Sequence, residues 1–125
     1  MKLRLYGNSL RLRLSRTDIE HFQQTGLCEE KLQFAEDSSL TYVLEASLQV
    51  SGVQVEYRRN CIHILAPREV ALEWARSNQV TLSGDAAEGY SPSVLIEKDF
   101  QCLHKEDRTE KDDVDAFPNP AALRA

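Results

Sequence analysis

The feature that most constrains the fold is a pattern that repeats at a constant spacing of 52 residues. Leu3 and Leu5 correspond to Val55 and Tyr57, Leu10 and Leu12 to Ile62 and Ile64, and Phe22 to Trp74. Val43 and Leu44 fall on Leu95 and Ile96, Glu45 on Glu97, Leu48 on Phe100 and Gln49 on Gln101. The turn residue Asn8 meets Asn60, and the helix stop Gly26 meets Asn78. Identities are few. Apolar positions, turns and helix ends nonetheless keep one register, which is the mark of a duplicated unit.

Each copy reads strand, strand, helix, strand, strand. Residues 3–6 and 10–14 alternate, with Leu3, Leu5, Leu10, Leu12 and Leu14 on one face and Lys2, Arg4, Arg11 and Arg13 on the other. Period two with one polar face is a half-buried strand, and Gly7-Asn8-Ser9 between the two is a compact turn. Thr17 and Glu20 have the spacing of a capping box, Ile19 and Phe22 form an apolar stripe, and Gly26 offers a left-handed stop. That predicts a helix of about two turns. Strands over 27–34 and 40–50 then flank a turn at Glu36-Asp37-Ser38-Ser39. The second copy has a strand at 53–57, a turn at Arg58-Arg59-Asn60 and a strand through Ile62 and Ile64. Pro67 opens its helix, Val70, Ala71, Trp74 and Ala75 form the stripe, and Asn78 ends it. A strand at Val80 and Leu82, a loop from Gly84 to Ser91 and a strand from Val94 to Phe100 complete it. The expected fold class is α+β, with two pseudo-symmetric ββαββ repeats, about 1–51 and 53–103, in one domain of residues 1–104.

A chain of 125 residues, 42% apolar and 28% charged, is enough for one such core. No apolar run approaches the roughly 18 residues that span a bilayer, so no membrane partner is expected. Met1-Lys2-Leu3-Arg4-Leu5 alternates where a secretory signal would be continuously apolar. Cys28, Cys61 and Cys102 are odd in number and far apart, a poor disulfide framework. The expected location is cytoplasmic, with the thiols reduced.

The net charge of −5 is unevenly placed. Lys2, Arg4, Arg11, Arg13 and Arg16 give the first 16 residues +5 with no acid, which leaves −10 for the rest. A basic start can track a phosphate backbone, or can be a solvated strand face paired with acids from elsewhere in the chain. Residues Lys105 to Asp115 hold six acids against three bases, so 105–125 is expected to be a mobile charged tail. Phe117-Pro118-Asn119-Pro120 within it could hook onto the domain, and its acids could lie over the basic strands.

The stretch Leu5-Tyr6-Gly7-Asn8-Ser9-Leu10-Arg11-Leu12-Arg13-Leu14-Ser15 resembles the opening of AbrB/MazE-type domains. The resemblance covers about residues 1–50 and, in element order only, 53–100. In that superfamily two copies exchange hairpins to close a small barrel, and many members bind DNA as antitoxins or transition-state regulators. The resemblance implies a small β-barrel closed by both repeats of one chain, which would remove its edge strands. It also implies DNA-facing positions at Gly7, Asn8 and Ser9 on the turn and at Arg11 and Arg13 on the strand. The second copy departs from this pattern. Arg59-Asn60-Cys61 stands where the first has Gly7-Asn8-Ser9, and His63 and Leu65 replace Arg11 and Arg13. Glu97 to His104 together with Asp115 to Pro120 resembles the end of a family of small bacterial proteins of unknown function.

Other chemistry is thin. Cys61-Ile62-His63 and Cys102-Leu103-His104 each set a thiol and an imidazole two residues apart, on one face of a strand. Together they would make a Cys₂His₂ zinc set, but the spacing is not the usual one, and no metal is expected. No glycine elbow stands near a cysteine, and the loop Gly84 to Gly89 lacks the third glycine of a dinucleotide fingerprint. No cofactor and no catalytic residue are expected. The chain reads as a non-catalytic binding module, a monomer or homodimer. Its partner is either DNA, as for a regulator or antitoxin-like protein, or another protein without any DNA binding.

Overall fold

A computed structural model of the chain describes residues 1–84, 92–100 and 117–118. In order these form β1 (Lys2–Tyr6), β2 (Ser9–Leu14), α1 (Arg16–Thr25), β3 (Leu27–Ala35) and β4 (Ser38–Ser47). The second series is β5 (Gln54–Arg58), β6 (Cys61–Pro67), α2 (Arg68–Arg76), β7 (Thr81–Gly84) and β8 (Ser93–Lys98). The α+β class and the element order agree with the expectation.

The strands form two four-stranded sheets, ordered β1-β2-β8-β7 and β3-β4-β6-β5. Each sheet therefore holds one hairpin from each copy, joined at its centre by a parallel pair. The register is the repeat made physical. Leu10 faces Val94 across β2 and β8, and Ile62 faces Tyr42 across β6 and β4. Moving the first pair by 52, forward for one residue and back for the other, gives the second. The turns obey the same relation. The Asn8 carbonyl accepts from the Ser93 amide at 3.2 Å, and the Asn60 carbonyl from the Thr41 amide at 3.0 Å.

β7 breaks the spacing. Leu27 faces Glu45, yet Thr81, not Gln79, faces Glu97, so two extra residues lie between α2 and β7. The Ala46 amide donates to Gly26, and its counterpart Lys98 donates to Val80. The extra length also changes the helix end. α2 is capped by extended Ser77 (φ −93°), and Asn78 does not take the expected left-handed form. Val80 is thereby placed to accept the Trp74 indole N–H at 3.0 Å, a bond its counterpart Phe22 has no need of.

The N-caps differ too. Ser15, not Thr17, caps α1, accepting from the Asp18 amide at 3.2 Å while Asp18 accepts from the Ser15 amide at 2.9 Å. Pro67 is the N-cap of α2, one position before the helix it was expected to open.

The inner faces of the sheets and the helices enclose one core. It includes Leu10, Leu12, Leu14, Leu44, Ile64, Leu82, Val94 and Ile96. Phe22 and Trp74 are fully buried and meet edge to face, with centroids 6.3 Å apart. Gln23 Nε2 donates to the carbonyl of Ala75, its own counterpart, 52 residues on, at 2.8 Å. Contacts between equivalent residues put the pseudo-two-fold axis between the helices.

No closed barrel is found, which corrects that part of the expectation. Among the described residues no ladder joins β1 to β3 or β5 to β7. The sheets instead meet at two related corners. At one, the Tyr42 hydroxyl donates to the Met1 carbonyl at 2.9 Å. At the other, Val53, the counterpart of Met1, lies against Gly84 so closely that a Cβ there would be 2.7 Å from the Val53 Cβ. These are a side-chain bond and a van der Waals contact, not the backbone pairing that closure requires.

Candidate functional site

Antiparallel pairing of β1 with β2 sets Lys2 opposite Arg13 and Arg4 opposite Arg11. The leucines between them point inward, so all four cations share the outer face of the first sheet. Like charges directly opposed across strands are destabilising. The neighbouring elements supply counter-ions. Glu97, in register with Arg13 on β8, places Oε1 2.8 Å from Arg13 Nε and 3.6 Å from Arg11 Nε. Asp99, just past β8, lies 3.2 Å from Lys2 Nζ. Arg4 makes no ion pair among the described residues. Arg16 leaves this face altogether, opening α1 and pairing with Glu20 at 3.7 Å.

The turn residues play different parts. Gly7 adopts φ +54°, a left-handed conformation that suits glycine. Asn8 is exposed and uses its carbonyl to hold β8. Ser9 Oγ donates to the Tyr6 carbonyl at 2.6 Å, which ties the turn. Of the five positions expected to face DNA, Arg11 and Arg13 lie on the basic face and Gly7, Asn8 and Ser9 form its lower rim.

The outer face of the second sheet is the same design with other chemistry. His63 Nε2 lies 3.3 Å from Glu45 Oε2, the counterpart of the Arg11–Glu97 pair, though not aligned for a hydrogen bond. Leu65 stands in Arg13's place and is buried. Glu29, Glu45 and Glu56 share this face with Lys31 and Arg58. Only one of the two faces is basic. The sequence alone marks neither Glu97 nor Asp99 as a site residue. The coincidence of Glu97 with Glu45 in the repeat was the available signal.

Cys61 and His63 do share a face, whereas Cys102, His104 and the 105–125 tail lie outside the described residues, except for exposed Phe117 and Pro118. Among the described residues no group of three or more His, Cys, Asp or Glu could hold a metal ion. Burial, helped by the Asp18 charge, pushes the Cys28 thiol up to about 11. Burial, with Glu29 adding to it, also raises Cys61. Neither is poised as a thiolate.

A second charged cluster is structural. Asp18 sits 2.7 Å from the Met1 amino group, which also reaches Glu30 at 3.3 Å. Burial alone would raise the Asp18 carboxyl. Hydrogen bonds from the Met1 amino group and from the Ser15 amide and hydroxyl outweigh it and hold the group below its ordinary value.

The sequence model of a family of unknown function, DUF7009, matches residues 1–121. The chain belongs to that family. No curated protein and no solved structure matches it. Among the described residues no helix is long and apolar enough to cross a membrane.

Proposed function

We propose that this chain is a non-catalytic binding module whose basic sheet face takes a polyanion, with duplex DNA as the leading ligand. The observation that carries the reading is the double cationic pair, Lys2 opposite Arg13 and Arg4 opposite Arg11. Such pairs cost stability unless anions cover them; among the described residues Glu97 and Asp99 are the carboxylates paired with this face, and Arg4 has no ion pair there. The AbrB/MazE-like reading of the fold is part of this proposal. It is supported by hairpins exchanged between the two copies and by the Gly7-Asn8-Ser9 turn at the rim of the face. The raised thiols of Cys28 and Cys61 favour a module in which neither of these two does cysteine chemistry.

The test is retention on duplex DNA as salt is varied. Phosphate contacts make affinity fall steeply with salt. Binding that is lost between about 50 and 200 mM salt, and lost with Arg4→Ala and Arg11→Ala together, supports the reading. Absence of retention at low salt removes it.

A second reading, a protein-interaction domain that does not bind DNA, has its own observation. At the hairpin ends of β1, β3 and β5, the inward-facing Leu5, Leu32, Phe34 and Tyr57 are exposed. Large apolar side chains left exposed on an inner face can serve as contacts for a partner. Loss of DNA retention combined with a specific protein partner whose binding falls with Phe34→Ser would favour it.

A further inference from the structure

We infer that Glu97 is a built-in counter-ion of the basic face with which a phosphate must compete, so that its charge weakens the hold of the face on a polyanion. The inference rests on the proposed reading of that face as the binding surface.

Three observations converge on it. One oxygen of Glu97 serves two arginines, at 2.8 Å and 3.6 Å, through the Nε edge that a phosphate would also approach. The residue is held in place by its strand. β8 is an inner strand, with β2 on one side and β7 on the other, and Glu97 faces Arg13 and Thr81 across them. Its side chain is only 17% exposed, so the carboxylate cannot simply swing into solvent as the ligand arrives. Phosphate must therefore compete with a preorganised anion. The competition is local, because the opposite sheet carries the same carboxylate at Glu45, beside His63 and buried Leu65 where the first sheet has Arg11 and Arg13.

The counterpart supplies the control. Glu97→Gln and Glu45→Gln each remove one negative charge at equivalent positions. A generic change in net charge would move both alike, whereas a counter-ion of the basic face moves only one. Binding of a short fluorescent duplex is followed by anisotropy at about 50 mM salt, with each variant first shown to melt cooperatively. Glu97→Gln is expected to tighten binding about fivefold, and Glu45→Gln by less than about twofold. Should Glu97→Gln fail to fold, Glu97→Asp retains the charge, withdraws it by one methylene and is expected to gain about twofold. Equal gains for the two glutamine variants, or no gain from either Glu97 variant while the wild type binds, overturn the counter-ion and leave the face intact. If neither the wild type nor Glu97→Gln binds, the polyanion reading falls and the counter-ion with it.

Discussion

At the residue scale, Gly84 and Asp18 carry more of the structure than their types suggest. Gly84 is the floor of the corner where the second copy's first strand meets the first sheet, with the Val53 carbonyl oxygen 3.0 Å from where a Cβ would sit. Overpacking of a tight contact costs about 1–3 kcal/mol. Gly84→Ala should lose that much in chemical denaturation, and an unchanged midpoint would mean that the corner is loose. Asp18 joins the cap of α1 to the Met1 amino group. Its folded carboxyl is lowered, so the stability it contributes is present above the unfolded value and is lost as pH falls through the lowered one. Wild type and Asp18→Asn should therefore differ most near neutral pH and converge below about pH 4. A gap that persists undiminished into acid would show that the charge of Asp18 is not what matters.

At the element scale, the cap of α1 shows what the sequence could and could not reveal. Two overlapping spacings, Ser15 to Asp18 and Thr17 to Glu20, both fit a capping box. Local pattern cannot choose between them. The choice falls to Ser15 because β2 ends at Leu14 and because Asp18 gains the Met1 amino group, which the antiparallel register brings to the same open end of the β1–β2 hairpin. Ser15→Ala should then cost about 1 kcal/mol and Thr17→Ala less than about 0.5 kcal/mol, read from thermal melts. The reverse order would restore the Thr17 cap. Strands were legible because period two in Leu10, Leu12 and Leu14 survives any partner. The parallel partner is not legible in the same way, since β2 also pairs with β8, more than 80 residues away. The stop at Asn78 was misplaced for a similar reason. Two inserted residues, invisible in a constant spacing, serve a tertiary bond from Trp74 to Val80. The same blindness hid Glu97, whose importance lies wholly in its neighbours across the sheet.

At the scale of the whole molecule, the exchanged hairpins make each copy incomplete alone. Neither sheet can form until both copies are present, because β2 needs β8 and β4 needs β6. A fragment of residues 1–51 would expose both central strand edges. It should be unfolded or dimeric in size-exclusion chromatography and far-ultraviolet circular dichroism, and a folded monomer would contradict the exchange. The shared core and the divergent outer faces together define the account. One scaffold presents two equivalent surfaces, of which the outer face of the first sheet carries the opposed cations and is the one we propose meets an anion. The most direct measurement is amide chemical-shift mapping of the full chain on addition of duplex DNA at low salt. The account predicts shifts gathered on Lys2, Arg4, Arg11, Arg13 and Glu97, with Glu29, Glu45 and Glu56 unmoved. Shifts centred on the second sheet, or none at all, would contradict it.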